Sequence, residues 1–420
     1  MKRITIIAPG SRGDVQPYIA LGVGLRQAGF QVHLVTHENY ESLVSAYDLE
    51  FWPIVGDVSS IVQSEAMRER VEGGNFLRLM SQMAKESQRG AIAIAAGGLE
   101  ASRGADLLLA GMGGIFTGLA LAEKLDLPLM QAYLVPFTPS STFPSVLTPN
   151  LPAWGNGAIK RLSHHLTRQL IWQGFRSADR LARQKTLGLP PAPFTGPYNS
   201  PQTRGLPILY GISPAVISPP PDWGPEVHLT GYWFLDSAED WTPPIALTDF
   251  LSNGPAPVYI GFGSMSNRDP EKTARIVLQA LDMSGQRAVL LSGWGGLAST
   301  VLPDTILMID SIPHSWLFPH MAAIFHHGGA GTTAAALRSG VPSGVIPFFG
   351  DQPFWGQRVA ELGAGPRPIP RRQLDAGRLA AAIWQSTSDP DMQRRAAELG
   401  RVIQAEDGVA RAVEWIQSVV

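Results

Sequence analysis

The stretch Ala323–Gly356, AIFHHGGAGTTAAALRSGVPSGVIPFFGDQPFWG, contains the most informative residues of the chain. It opens with an apolar run that predicts a buried strand, and an Ala/Leu-rich run that predicts a helix follows closely. Histidines, glycines and threonines occupy the junction: His326, His327, Gly328, Gly329, Gly331, Thr332 and Thr333. A metal site, a phosphate site and a simple turn each use residues of these kinds, so the rest of the chain must decide among them.

The composition limits the classes of protein to which the chain can belong. Its 420 residues are enough for two or three domains, and the 45% of hydrophobic residues can fill full-sized cores. A net charge of −2 argues against a nucleic-acid-binding face. The chain has no cysteine, which excludes disulfides, thiolate metal sites and cysteine nucleophiles and agrees with a cytoplasmic enzyme.

Neither a secretory signal nor a membrane-spanning helix is expected. Met1–Pro9 is typical of a short buried strand rather than of a signal-peptide core. The longest charge-free apolar run, 107–122, is shorter than the roughly 20 residues of a spanning helix and is interrupted by glycines. We therefore predict a strand, a glycine turn and a helix for this run.

Short apolar strands alternate with helices along the chain. KRITIIAPG (2–10) predicts a strand and PYIALGVGLRQAG (17–29) a helix, and the alternation restarts at APVYIGFGS (256–264). Such alternation predicts parallel sheets covered by helices on both faces, an α/β protein with two Rossmann-like domains.

Dense proline suggests where the two domains join. The stretch Ser213–Pro244 is rich in proline and has no periodicity, as expected of a semi-rigid connection. We predict an N-terminal domain at 1–215, a linker at 216–245, a C-terminal domain at 246–405 and a terminal helix at 406–420 that packs back on the first domain.

Ligands of open parallel sheets bind at the carboxyl ends of the strands, and APGSRGDVQPY, Ala8–Tyr18, follows the first strand. Asp14 in this turn has the position of a general base at the mouth of a crevice. Its alternative role is to cap the helix that follows. Neither this turn nor GMGGIFTG at 111–118 has the spacing of a dinucleotide-binding glycine fingerprint.

The His-Gly-Thr junction has the features of an anion site. Backbone N–H groups at a helix start bind phosphate, glycines allow close approach, and threonine and histidine side chains donate further hydrogen bonds. A metal is the alternative, but no carboxylate lies at ligand spacing, and neighbouring residues of a strand such as His326 and His327 point to opposite faces. We expect no metal, and we interpret His314 and His320 as ordinary surface or loop histidines.

The run FGDQPFWG, Phe349–Gly356, offers a third group of polar side chains after a predicted strand. Asp351 and Gln352 place acceptors and donors side by side, which suits the hydroxyls of a sugar. The alternative for Asp351 is again a helix cap.

Together these motifs resemble the GT-B-fold glycosyltransferases of family 1. HHGGAGTT, with GVP and GDQ downstream, resembles their nucleotide-sugar signature, and GFGS at 261–264 and SGWGGL at 292–297 fit the same half. GSRGDVQPYIALG resembles the N-terminal motif of the sterol 3-beta-glucosyltransferases and of relatives that act on glycopeptide aglycones and lipid acids. The resemblance covers nearly the whole chain and implies two Rossmann-like domains that face each other across a cleft.

The resemblance also implies a chemistry, the inverting, metal-independent transfer of a hexose from a nucleotide sugar, UDP-glucose, to a sterol or similar hydrophobic hydroxyl compound. Asp14 would be the general base, and no cofactor is needed. His326 would bind the diphosphate, and Asp351 and Gln352 the sugar. The further donor-site residues would be Ser264, Ile312, Gly329, Gly331, Thr332 and Thr333.

Two departures from the family pattern leave the donor and the membrane question open. Plant relatives have a Trp-x-Pro-Gln sequence that packs against the uracil, and this chain has Ser311–His314 at the matching positions. The sequence therefore does not decide between a UDP-sugar and a TDP-sugar as the donor. The larger fungal enzymes carry N-terminal membrane-binding modules, whereas this chain begins directly with the first predicted strand.

On the acceptor side, a long loop, Tyr133–Trp154, follows a strand of the first domain, and such loops usually carry function. Its residues Phe137, Phe143 and Leu147 could line an apolar pocket. The basic segment 159–185 that follows repeats Ile159, Leu162, Leu166 and Leu170 at helical spacing. Such a helix can pack on the core with a solvated basic face, or it can contact an anionic membrane.

Three alternatives to sterol glucosylation remain at this point. The first is transfer from a UDP- or TDP-sugar to a polyketide, terpenoid, flavonoid or lipid acid. The second is a nucleotide-sugar 2-epimerase, against which the GSRGD motif and the apolar loop argue. The third is a lipid-binding module without turnover, against which the full set of polar motif residues argues.

Overall fold

A computed structural model describes residues 1–54, 76–149, 151, 155–199, 203, 205–235, 241–262, 269–292 and 302–420. These residues form two compact units. The first unit takes in the described residues up to Leu235 and the C-terminal residues Glu406–Val420, and the second takes those from 241 to Ala405. The expectation of two α/β domains, each with a parallel sheet, is confirmed.

The first unit contains seven parallel strands among its described residues, in the order β3-β2-β1-β4-β5-β6-β7. They are β1 (Arg3–Ile7), β2 (Gln31–His37), β3 (Glu50–Ile54), β4 (Leu107–Ala110), β5 (Leu129–Tyr133), β6 (Ile208–Tyr210) and β7 (Val227–Leu229). Its described α-helices, apart from the C-terminal one, are α1 (Arg12–Gln27), α2 (Glu41–Ser45), α3 (Phe76–Ala101), α4 (Ile115–Leu125) and α5 (Gly157–Leu181). The strand order reverses between β1 and β4, so the crevice that binds ligands in such sheets lies at the carboxyl ends of these two strands.

Both faces of this sheet are buried, which explains its continuous apolar strands. In β1, Ile4 and Ile6 pack into one core with α1, and Ile7 packs into the core on the opposite face. In β4, Leu107 packs into the core that contains Ile4, and Leu108 packs into the core that contains Ile7. Apolar side chains that point alternately to the two faces of the sheet are typical of a parallel strand that lies between two layers of helices.

The second unit has five parallel strands among its described residues, in the order β10-β9-β8-β11-β12. They are β8 (Val258–Gly261), β9 (Ala288–Leu291), β10 (Ile306–Ile309), β11 (Ala323–His326) and β12 (Ser343–Val345). The helices are α6 (Ile245–Ser252), α7 (Pro270–Ser284), α8 (His314–Leu317), α9 (Ala330–Ser339), α10 (Gln352–Glu361), α11 (Ala376–Ser388) and α12 (Pro390–Gln404). Here the order reverses between β8 and β11, which places the turn after His326 at the ligand-binding crevice of this unit.

Prolines protect the open edge of the second sheet. The segment 364–371 runs beside β12, because Ile369 N–H donates to Val345 O and Arg371 N–H to Pro347 O. From position 366 onward, the alternate positions, whose N–H groups would face outward, are prolines: Pro366, Pro368 and Pro370. Since proline has no N–H group to donate, this edge offers little to an additional strand.

The C-terminal helix, α13 (Gly408–Val419), packs in the first unit. Ala412, Val413 and Ile416 lie in the same core as residues of α1. The contact is close at Gly24, where an added Cβ atom would lie 2.4 Å from Val409 Cγ1.

Two further sequence expectations can be compared with the structure. The interpretation of 107–122 as a strand, a turn and a helix is confirmed by β4 and α4. The predicted linker at 216–245 differs from the structure, because β7 lies inside that range and extends the first sheet. A three-residue strand among prolines is too short to show a period in the sequence.

The apolar repeat of α5 does not face the core. Its buried side chains include Ser163, Thr167 and Ala178, whereas Leu162 and Leu166 are exposed to solvent. Of the two alternatives that the sequence left open for this helix, packing of these leucines on the core therefore does not agree with the structure. Hydroxyls such as that of Ser163, which donates to Lys160 O and accepts from Ser145 N–H, allow the polar side to be buried.

No helix within the described ranges is long and apolar enough to cross a bilayer.

The close contact at Gly24 predicts the effect of enlarging this residue. Gly24→Leu should lower the free energy of unfolding by about 1–3 kcal/mol, because the side chain must displace Val409. Leucine is a better helix former than glycine, so the loss can only come from crowding. Thermal unfolding measures it, and hydrogen exchange should accelerate in α13. The control Gln27→Leu, at an exposed position of α1, should change neither, and unchanged exchange in the Gly24 variant would contradict the contact.

Candidate active site

Asp14 is the third residue of α1 and stands at the crevice of the first sheet. Its Oδ2 accepts hydrogen bonds from the Ser11 N–H at 2.8 Å and from the Ser11 hydroxyl at 2.7 Å. Among the described residues nothing donates to Oδ1. The side chain is exposed, so one oxygen stabilises the helix start while the other remains accessible. Asp14 therefore stabilises the start of α1 and also presents an accessible carboxylate oxygen.

Glycines allow the loops around Asp14 to close tightly. An added Cβ atom on Gly10 would lie 2.5 Å from Asp14 Cβ and 2.7 Å from its Oδ2. The loop after β4 packs against the same turn, since an added Cβ atom on Gly113 would lie 2.3 Å from Pro9 O. The glycine-rich stretch at 111–118 thus supports the Asp14 turn.

The environment of Asp14 makes its carboxylate a stronger base. Surrounding protein partly desolvates the carboxyl and raises its pKa above the ordinary 3.8, although solvent reaches the side chain. The hydrogen bonds from Ser11 and the nearby His37 act in the opposite direction. A raised pKa improves proton uptake, provided that the group is ionised at the working pH.

The start of α9 forms the second part of the candidate site. Gly328 has a φ of +92°, which favours glycine, and Gly329 is the N-cap residue. Because glycine has no side chain, no side-chain cap satisfies the first N–H groups of α9, and these groups can bind an anion. Thr333 is buried and its hydroxyl donates to Gly329 O at 2.9 Å, whereas Thr332 is only partly buried. Of the two predicted threonines, Thr332 is therefore the one whose hydroxyl can reach a ligand.

The structure places His326 inside the protein rather than at the ligand surface. Its side chain is fully buried, Nδ1 accepts the Gly328 N–H at 3.0 Å, and Nε2 lies 3.0 Å from Ser343 Oγ. Burial holds its pKa well below the ordinary value, so the ring is neutral and Nε2 carries the proton donated to Ser343. The expectation that the His326 side chain binds a diphosphate directly does not agree with this geometry, because both ring nitrogens are already used.

The neighbouring His327 borders the start of α9 instead. Its Nε2 would lie 2.7 Å from a Cβ atom on Gly329, and its buried Nδ1 has no hydrogen-bond partner among the residues that the structure describes. Burial lowers its pKa to about 4, so this ring is also neutral near pH 7. The alternation of a strand predicts that one of two adjacent histidines points inward, but the sequence alone did not identify which one.

The predicted sugar-binding pair has a structural role as well. Gln352 is buried and its Oε1 accepts the N–H groups of Phe348 and Phe349 at 2.8 and 3.2 Å, which fixes the loop before α10. Asp351 Oδ2 accepts the indole N–H of Trp355 at 2.8 Å. Asp351 occupies the N-cap position without making a side-chain cap hydrogen bond. Ile312 packs beside the core below α8, and Ser264 lies outside the described residues.

The three predicted acceptor residues differ in exposure. Phe137 is buried between Tyr133 and Tyr198, with the Arg168 guanidinium 5.1 Å from its ring centre. It packs within an aromatic core, and its burial leaves little of the ring exposed to a ligand. The other two, Phe143 and Leu147, are partly buried, and the ring of Phe143 contacts His164 and Trp223 edge-on. No group of three or more potential metal ligands occurs among the described residues.

Comparison with solved structures gives the fold. The glycotransferase of kitacinnamycin superposes with a TM-score of 0.69 at 19% identity, over 99% of this chain and 98% of its own. The glycosyltransferase VinC, in a complex with DTDP, superposes with a TM-score of 0.68 at 18% identity, over 99% of each chain. The fold is thus that of the GT-B glycosyltransferases.

Comparison with curated proteins and families gives the family. The model of the glycosyltransferase family 28 N-terminal domain matches residues 4–144, and that of the erythromycin biosynthesis protein CIII-like C-terminal domain matches residues 293–413. Two sterol 3-beta-glucosyltransferases of Arabidopsis thaliana, UGT80A2 and UGT80B1, are each 35% identical over 98% of this chain. A sterol 3-beta-glucosyltransferase of Cryptococcus neoformans is 35% identical over 99% of it.

The chain belongs to the glycosyltransferase family that includes the sterol 3-beta-glucosyltransferases. It spans 64% and 67% of the length of the two plant proteins and 27% of that of the fungal one.

The geometry of His326 predicts how its replacement affects stability. His326→Leu should lower the free energy of unfolding by about 1–3 kcal/mol, because the Gly328 N–H and the Ser343 hydroxyl lose their buried partner. A double-mutant cycle with Ser343→Ala, followed by thermal unfolding, should be non-additive. His327→Leu serves as the control and should cost less, since its Nδ1 has no hydrogen-bond partner to lose within the described part of the chain. Strict additivity of the two substitutions would contradict the His326–Ser343 contact.

Proposed function

We propose that this protein is an inverting, metal-independent glycosyltransferase that transfers glucose from UDP-glucose to the hydroxyl of a sterol or similar lipid. The observation that carries the proposal is Asp14, an exposed carboxylate with a raised pKa and one uncommitted oxygen at the crevice of the first sheet. The substrate class is taken from the relatives named sterol 3-beta-glucosyltransferases.

In the proposed reaction, the first unit binds the acceptor and supplies the base. The acceptor hydroxyl oxygen attacks the anomeric carbon while its proton passes to Oδ1 of Asp14. The bond from the anomeric carbon to the diphosphate oxygen breaks, and its electron pair remains on the diphosphate. A single displacement of this kind inverts the configuration at the anomeric carbon. Ser11 keeps Asp14 Oδ2 fixed, so that the second oxygen is oriented in advance.

The second unit is proposed to bind the donor at the start of α9. The N–H groups of the first turn, the hydroxyl of Thr332 and the ring of His327 would face the diphosphate. Gly329 and Gly331 would let the phosphate oxygens approach the backbone closely. Fixed dipoles of this kind stabilise the negative charge that develops on the leaving group. In other enzymes a metal ion stabilises this charge.

The remaining donor contacts are proposed from the loop before α10 and from Ile312. Gln352 would offer its amide N–H groups to sugar hydroxyls, because its Oε1 is already used within the loop. Asp351, held by Trp355, would accept from the sugar hydroxyls. Ile312 would contact the nucleoside base. The apolar side chains proposed for the acceptor are Phe143 and Leu147, and Ser264 remains a proposed phosphate ligand on the resemblance alone.

A second candidate differs in both substrates. In it, a TDP-sugar is transferred to a polyketide-like acceptor. It is favoured by the match of residues 293–413 to the erythromycin biosynthesis protein CIII-like domain and by the DTDP complex of VinC. The mechanism and the role of Asp14 are the same in both cases, so only the choice of substrates separates them.

The deciding experiment is an assay of product formation by mass spectrometry. Purified protein is incubated in EDTA with UDP-glucose or a TDP-sugar and a panel of sterols, terpenoids, flavonoids and macrolides. We expect a glucosylated sterol and a fall in kcat of about 10²–10⁴-fold in Asp14→Asn, which removes the base. Asparagine can still accept the Ser11 N–H, so the helix start survives.

The matched control is Asp375→Asn, since Asp375 caps α11 in the second unit and has no proposed part in catalysis. It should leave kcat unchanged. A macrolide product from a TDP-sugar would replace the first candidate by the second. Full turnover by Asp14→Asn, or loss of turnover in EDTA, would overturn the proposed mechanism for both.

The contacts of Asp14 also predict a change in the pH profile. The hydrogen bond from the Ser11 hydroxyl favours the ionised carboxylate and therefore lowers the pKa of Asp14. Ser11→Ala should raise that pKa, so the acid limb of kcat/KM should move to higher pH while activity at the plateau persists. Ser42→Ala, at an exposed position of α2, is the control. An acid limb that does not move would show that a group other than Asp14 controls it.

A further inference from the structure

Helix α5 presents an apolar stripe to solvent. Leu162, Leu166 and Leu170 follow each other at intervals of four residues and are 54%, 56% and 48% exposed. At about 1.5 Å per residue, the stripe is about 12 Å long. The opposite side of the helix, with Ser163 and Thr167, already packs against the protein. Large apolar side chains rarely line up on the surface of a protein without a binding partner.

Phe194 lies beside this stripe and is held there by the helix. Its ring is 63% exposed. Its carbonyl oxygen accepts hydrogen bonds from Trp172 Nε1 at 3.0 Å and from Gln173 Nε2 at 2.8 Å. The guanidinium of Arg176 lies 5.0 Å from the centre of the ring. The aromatic ring is thus fixed next to the leucines, and the four apolar side chains form one surface.

The exposed charges of α5 itself and of the turn that continues it are all positive, whereas Asp222 and Glu226, which precede β7, line a pocket together with Arg161. Arg161, Arg176, Arg180 and Lys185 are exposed on α5 and the turn that continues it. The single acidic residue between 157 and 187 is Asp179, which is buried beside Arg183. Because the whole chain has a net charge of −2, this concentration of cations is local to α5.

We propose that the α5 surface, defined as Leu162, Leu166, Leu170 and Phe194 with the flanking Arg161, Arg176 and Arg180, binds the protein peripherally to an anionic lipid membrane. An apolar stripe bordered by arginines matches the boundary between acyl chains and anionic headgroups: the leucines and Phe194 enter the acyl boundary, and the guanidinium groups reach the phosphates. Charge complementarity favours this partner over a neutral or basic protein surface. The proposal does not depend on the sugar acceptor.

The test is flotation of the full chain with vesicles of phosphatidylcholine alone or with added phosphatidylserine. We expect binding only to the anionic vesicles, with loss of binding at high salt. Leu162→Gln, Leu166→Gln and Leu170→Gln combined should weaken it by at least about a hundredfold, and each Arg→Gln change by about fivefold. The matched control is Trp384→Gln with Val402→Gln in the second unit, which are 66% and 50% exposed, and it should bind normally.

Three results would overturn the proposal. The first is absence of binding to anionic vesicles, and the second is binding that the leucine variant retains in full. The third is a dimer in solution, detected by light scattering, that the leucine variant dissociates, which would assign the surface to a second copy of the chain. Because the leucines are exposed, the variant should keep its unfolding temperature and its turnover of a detergent-solubilised acceptor. Failure of binding is thereby separated from failure of the proposed enzymatic activity.

Discussion

Burial of both faces of each parallel sheet is the constraint from which the rest of the structure follows. Ile4 and Ile7 pack on opposite sides of the first sheet, and Tyr259 and Ile260 do so in the second. Polar groups cannot be accommodated on such faces without cost, so they concentrate at the carboxyl edge, where the strand order reverses and the turns spread apart. Asp14 and the His-Gly-Thr junction after β11 both occupy that edge of their own sheet.

The two units use the start of a helix in opposite ways. In α1 the chain provides its own anion: Asp14 accepts from the backbone of Ser11, and the helix dipole helps to keep the carboxylate ionised. In α9 the N-cap is Gly329, which provides no side-chain acceptor, so the partial positive charge of the helix start is directed outward. One helix thus stabilises a basic carboxylate, while the other is suited to an external anion.

The sequence predicted the alternating elements well because period and punctuation are local properties. It predicted orientation poorly, since orientation depends on neighbours that are distant in the chain. Whether His326 or His327 points inward depends on Ser343 of β12, and Phe137 is buried because Tyr198 lies opposite it. The leucines of α5 followed the helical period but face solvent, because buried hydroxyls satisfy the other side. β7 was missed because three residues cannot show a period.

The buried His326 can shape the proposed donor site although both of its ring nitrogens are used within the protein. His326 accepts the Gly328 N–H, and an added Cβ atom on Gly328 would lie 2.5 Å from Val345. The two contacts fix the turn from both sides and with it the direction in which α9 begins. Since a dipole stabilises charge only where it is already oriented, rigidity of this turn should matter as much as the groups proposed to face the phosphate. A neutral, hydrogen-bonded imidazole provides this rigidity without placing an uncompensated charge in the core.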